Sequence, residues 1–95
     1  MREKTIEQQL RTTVKGLGGV ALKFVSPGTS GVPDRLILLP GKRLAFVEVK
    51  APGIQMRPLQ VKRKRQLEAL GFSVYVLDDV AKIQQILKDM SGEAI

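Results

Sequence analysis

Asp34 follows Gly31-Val32-Pro33 at the start of one apolar run, and Glu48 and Lys50 close the next; these residues are the ones in this 95-residue chain best suited to chemistry. If the two runs pair as strands, Asp34 and Glu48 converge beside the Lys50 amine. Two carboxylates can hold a hard divalent cation through oxygen, and a neighbouring amine can position water or stabilise charge on a phosphate. The grouping therefore suits hydrolysis of a phosphodiester. Each half taken alone is weak, because Asp serves turns and a Glu-x-Lys strand end is commonly a solvated face. The combination carries the reading.

Composition removes most other chemistries. The chain has no Cys and no His, which excludes disulfides, Cys/His zinc sites, Ser-His-Asp triads and thiol nucleophiles. Catalysis is left to carboxylates, amines and an oxygen-liganded metal. The net charge of +7 favours a polyanionic partner. This charge is uneven: residues 1–65 hold 14 of the 16 basic residues but only 4 of the 9 acidic ones, namely Glu3, Glu7, Asp34 and Glu48. A phosphate-binding surface gains by discarding carboxylates, so those retained need a reason, and metal ligation is a good one.

The length allows one small core, so a single domain over residues 1–95 is expected. No apolar run approaches the ~20 residues that cross a bilayer, and Met1-Arg2-Glu3-Lys4 opens a charged segment, which points to a cytoplasmic protein without a membrane partner. Ile6, Leu10, Val14 and Leu17 form one apolar stripe of a helix from Thr5 to Leu17, ended by Gly18-Gly19. Leu22 to Val25 reads as a strand, and Ser26 to Pro33 as a loop that delivers the chain to Asp34. Arg35 to Leu39 and Leu44 to Val49 read as a hairpin around Pro40-Gly41-Lys42-Arg43. Pro58 opens a helix running to Leu70 with Gly71 as its stop, Ser73 to Leu77 is a further strand, and Asp78 or Asp79 caps a last helix with Val80, Ile83, Ile86 and Leu87 inward. The fold class is thus α/β: a small mixed central sheet flanked by helices, in the order αβββαβα.

Strand alternation tests the proposed grouping. Glu48, Lys50 and Phe46 share one face, Asp34 shares a face with Leu36 and Leu38, and Val47 and Val49 face the opposite side, where a helix can cover them. The Val49 carbonyl offers one more oxygen. Glu7 sits at the margin of the first helix's apolar stripe, where a carboxylate can look toward the sheet edge. Lys62-Arg63-Lys64-Arg65 can be a solvated helix face, but in a chain of this charge phosphate contact is the favoured reading, with Arg57 nearby.

The pattern Gly31-x-Pro33-Asp34, then Glu48-x-Lys50, then Gln60 at the start of a basic helix resembles the VRR-NUC (virus-type replication-repair nuclease) family of the PD-(D/E)xK nuclease superfamily, over nearly the whole chain. The resemblance implies a restriction-endonuclease-like core. It implies that Asp34, Glu48 and the Val49 carbonyl ligate Mg²⁺, with Mn²⁺ able to substitute and Glu7 reaching the metal directly or through water. It implies Lys50 as the catalytic lysine and Gln60 as the residue orienting Lys50 or the nucleophile. No organic cofactor is implied. Stand-alone members of phage and bacterial type look like dimeric, structure-selective endonucleases, so the expected activity is cleavage of branched DNA by a homodimer, with Holliday junction resolution in first place. Few aromatics are free to stack on bases, since Phe24, Phe46 and Tyr75 lie in strands as expected core, so shape rather than sequence is the expected basis of recognition. A flap or general structure-specific nuclease and a nicking subunit are the alternatives within enzymes. A non-catalytic nucleic-acid-binding module is the alternative outside them.

Overall fold

In a computed structural model, which describes residues 2–92, the chain runs α1 (Glu3–Gly16), β1 (Val20–Lys23), β2 (Arg35–Leu39), β3 (Arg43–Val49), α2 (Pro58–Ala69), β4 (Val74–Leu77), a 3₁₀ turn (Val80–Lys82) and α3 (Ile83–Ser91). The strands form one sheet in the order β1-β2-β3-β4, antiparallel across the first three and parallel between β3 and β4. The order and mixed sheet match the expectation. The crossover between β3 and β4 contains α2, as a parallel connection requires.

Alternation in β2 and β3 divides the sheet into two unlike faces. Ile37, Leu39, Ala45, Val47 and Val49 point to the inner face, where Ile6, Leu10 and Val14 of α1 and Ile83, Ile86 and Leu87 of α3 cover them. This is the hydrophobic core. The register Val20↔Leu38, Leu22↔Leu36, Leu36↔Phe46 and Phe46↔Val74 sends the other set to the outer face. There only α2 and the segment after it give cover, and Val20, Leu22 and Leu44 stay 39–44% exposed.

The boundaries differ from the sequence reading in instructive ways. β1 begins two residues earlier than expected, because Gly18 and Gly19 close the end of α1 at once, with Gly19 N–H donating to the Val14 carbonyl (3.0 Å). Phe24 therefore lies just beyond β1. Phe24, Phe46 and Phe72 form a row on the outer face, with ring centroids 5.5 and 6.0 Å apart, while Tyr75 packs at the margin of the core. Phe24 and Phe46, expected as strand core, are thus not core residues: Phe46 has the outer-face parity of β3, and Phe24 continues the outer-face parity of Val20 and Leu22 just past the end of β1. Asp79 caps as expected, accepting from Ala81 N–H (2.9 Å), but the cap opens the 3₁₀ turn that leads into α3. In the hairpin, Gly41 and Lys42 both adopt positive φ (85° and 63°), reversing the chain in three residues.

Candidate active site

The loop before Asp34 is fixed by a close approach to α2. Gly31 has φ +83°, and a Cβ there would stand 2.8 Å from both Cγ and the carbonyl oxygen of Leu59. Only glycine meets both demands. Arg63 Nε donates to the Ser30 carbonyl (2.8 Å), a second tie between the same loop and the same helix. Pro33 is buried, and Phe24 N–H donates to the Asp34 carbonyl (2.8 Å), so Asp34 enters the sheet with its backbone held on both sides.

The two carboxylates converge at the end of the sheet where β2 begins and β3 ends. Asp34 Oδ1 accepts from Val49 N–H (3.0 Å), which ties the last residue of β3 to the residue that precedes β2. Glu48 is 3% exposed, and its Oε2 lies 3.9 Å from Lys50 Nζ. Along β3, Phe46 and Lys50 N–H groups bond toward β4, so Val49 bonds the other way, and the carbonyl of an extended residue points to the same side as its N–H. The Val49 oxygen thus faces the Asp34 side.

Electrostatics set this pair apart from the rest of the chain. Burial raises the Glu48 pKa to about 7, repulsion from Asp34 adds to the rise, and Lys50 opposes it. Asp34 is also raised, by burial first and by the Glu7 charge, against the Val49 hydrogen bond and Arg35, which lower it. Two crowded carboxylates with one lysine at 3.9 Å are a site deficient in positive charge. An all-oxygen donor set of this sort fits a hard divalent cation.

Other expected site residues fall in different surroundings. Glu7 ion-pairs with Arg35 while its charge still acts on Asp34, and among the described residues no three His, Cys, Asp or Glu side chains gather in a metal-binding group. Gln60 is buried, and its Oε1 accepts from Arg57 N–H (2.9 Å), which caps α2 and leaves the amide nitrogen for other work. A cavity of about 510 Å³ lies beside it, between Ser30-Gly31 and the first turn of α2. In the basic run, Lys64 pairs with Glu68 (3.0 Å) and Arg63 holds Ser30, whereas Lys62, Arg65 and Arg57 are exposed.

Arg35 is the residue that sequence reasoning missed. It is 7% exposed, pairs with Glu7 and reaches the Ala21 carbonyl (3.5 Å), joining α1, β1 and β2 behind Asp34. Its parity gave the signal: in Arg35-Leu36-Ile37-Leu38-Leu39 it shares a face with Ile37 and Leu39, and a charge on a core face requires a partner.

Comparison with known proteins bears on the fold and the family. No family model matches the sequence. The chain is 51% identical over 78 residues to Putative nuclease p44 of Acyrthosiphon pisum secondary endosymbiont phage 1, covering 82% of this chain and 84% of that protein. It is also similar to a solved VRR_NUC domain, with a TM-score of 0.85 and 26% identity over 90% of this chain and 94% of that one.

Proposed function

This chain belongs to the VRR-NUC family, and from that premise we propose that it is a metal-dependent nuclease that cuts branched DNA, with the four-way junction as its leading substrate. One observation carries the reading: the convergence of buried Glu48 and half-buried Asp34 beside Lys50 at one end of the sheet. Asp34, Glu48 and the Val49 carbonyl are the residues that would hold Mg²⁺ or Mn²⁺, and Glu7 contributes through water or stays with Arg35. A bound divalent cation would supply charge neutralisation at the scissile phosphate and acidify water near it.

The chain's own groups do the rest. Lys50, held near Glu48, stabilises the negative charge that develops on the phosphate and orients the attacking water. Gln60, whose amide nitrogen is not used by the cap of α2, is the residue that would orient Lys50 or the nucleophile. Phe46 precedes Glu48 on the same face of β3 and packs with Phe24 and Phe72, so an apolar row flanks the site on that face and strengthens the charge interactions next to it. Lys62, Arg65 and Arg57 bind phosphates without reading bases.

Paired cuts in a junction need two sites related by symmetry, so the active species is a homodimer. The half-open outer sheet face, with Val20, Leu22 and Leu44, supports this, because a second copy is a natural cover for so apolar a surface. The test is incubation of purified protein with labelled four-way junction, flap and linear duplex DNA, with and without Mg²⁺ or Mn²⁺. Paired symmetric cuts in the junction support the proposal. Cleavage of the flap alone would replace it with a flap nuclease, and metal-independent binding without any cutting would leave a binding module.

A further inference from the structure

The charged residues of α1 have a use that the site does not absorb. Gln8, Arg11, Thr12 and Lys15 line one wall of a cavity of about 460 Å³, whose other wall is the start of β1 from Gly19 to Ala21. These four residues stand at relative positions 0, 3, 4 and 7, so they form one helix face beside the buried stripe of Ile6, Leu10 and Val14. Every side chain on that wall can donate a hydrogen bond, two are cations, and no carboxylate lines the cavity.

The opposite wall adds a backbone donor. β1 is an edge strand, and Phe24 N–H bonds inward to the Asp34 carbonyl, so alternation turns the Ala21 and Lys23 N–H groups outward. Among the described residues neither Arg11 nor Lys15 enters an ion pair, in contrast to Arg35, Lys64 and Lys82. The groove spans about 10 Å of helix axis at 1.5 Å per residue, room for about three nucleotide steps of 3.4 Å. Its near end adjoins Glu7, which Arg35 ties to the strand start carrying Asp34.

We infer that the α1–β1 groove is a second contact for the DNA backbone, holding the phosphates of a strand that continues past the cleavage site. The inference rests on the reading of this chain as a DNA nuclease and adds a surface apart from the basic run of α2. It explains why the basic excess extends to α1 rather than ending at Arg57–Arg65.

The experiment is anisotropy of a labelled four-way junction and a labelled linear duplex in EDTA between 50 and 200 mM salt, where cutting cannot interfere. Arg11→Gln/Lys15→Gln removes two cations from the groove, and Lys42→Gln/Lys88→Gln removes two elsewhere as a charge-matched control. The groove variant should lose about 1.8 from the log-log salt slope, at about 0.9 per phosphate contact. Its deficit against wild type should then shrink about tenfold across that salt range, and the control should lose less than half as much. Thr12→Glu, which places a carboxylate in the groove at an exposed helix position, should weaken binding to both DNAs. Equal slopes for groove and control variants, or undiminished binding by Thr12→Glu, would overturn the inference. Failure of the nuclease reading shows separately, as absence of cutting in Mg²⁺ by wild type whose salt slope still responds to Arg11 and Lys15.

Discussion

Substituting Gly31 with Ala should damage this protein far more than the same change at Gly28, three residues away in the same loop. Both glycines have positive φ (83° and 84°), so both substitutions carry the left-handed backbone cost of about 1–2 kcal/mol. Around Gly28 a new Cβ meets nothing within 4 Å; at Gly31 it meets Leu59 Cγ and the Leu59 carbonyl oxygen, each at 2.8 Å. The Leu59 side chain is 40% exposed and can turn aside, but its carbonyl belongs to the first turn of α2 and cannot. Loop and helix must part, which adds a strain of about 1–3 kcal/mol, as for an overpacked core position. At roughly 4–8 °C per kcal/mol for a domain of this size, Gly31→Ala should melt at least about 5 °C below Gly28→Ala when both are followed by circular dichroism. Because the displaced loop carries Asp34, DNA cleavage should also fall, by up to about 100-fold for a misplacement near 1 Å. Equal melting temperatures and equal cleavage rates for the two variants would refute the reasoning, since the Leu59 approach would then fix nothing.

Other outcomes follow from the site itself. Asp34→Asn or Glu48→Gln should abolish cleavage while DNA binding in gel shifts is kept or tightened, because a carboxylate that repels phosphate is removed; parallel loss of both would assign these residues to the fold. Glu7→Gln leaves the buried Arg35 guanidinium without its carboxylate, and the unfolding free energy from urea titration should drop by an amount near the low end of the ~3–5 kcal/mol seen for broken buried pairs, as Glu7 is 31% exposed, with the midpoint falling accordingly. An unchanged midpoint with a raised Mg²⁺ requirement would instead assign Glu7 to the metal. Saturating Mg²⁺ at about 100 times its dissociation constant should stabilise the wild type by about 2.7 kcal/mol in thermal melts, and a rise that survives in Asp34→Asn would place the cation elsewhere.

The fold was legible in the sequence wherever one face of an element is closed. Ile6, Leu10 and Val14 are buried on α1, and Arg35–Leu39 forms a strand with the expected limits, because core packing enforces those periods. Legibility fell on the outer face. β1 is mostly exposed there, so hydrophobicity could not mark its start, and the turn at Gly18-Gly19 set it instead. The approach of Asp34 and Glu48 followed from strand parity and hairpin register, both local properties. The partners of Glu7 and Gln60 did not, since the Arg35 pair depends on how α1 lies over β2 across 28 positions of sequence, and the Gln60 cap competes for the side chain expected at Lys50. The stripe of Arg11 and Lys15 was visible as charge, but the wall opposite it exists only once β1 has paired.

α2 is joined to this molecule unlike any other helix. Gln60 is its one buried residue among those described, and the ties that hold it include Gly31 on Leu59, Arg63 on Ser30 and, at its far end, Phe72, whose N–H donates to the Leu67 carbonyl (3.1 Å). An element with so little burial opens at a lower free energy than the strands it covers, so its amides should lose protection from hydrogen exchange while those of β2 and β3 persist. The hinges of such an opening are the glycine-containing loop after Lys50 and the turn at Gly71. On the proposed reading, a helix that can lift without melting the sheet would let a branched DNA enter from the side and its cut arms leave without a global unfolding event.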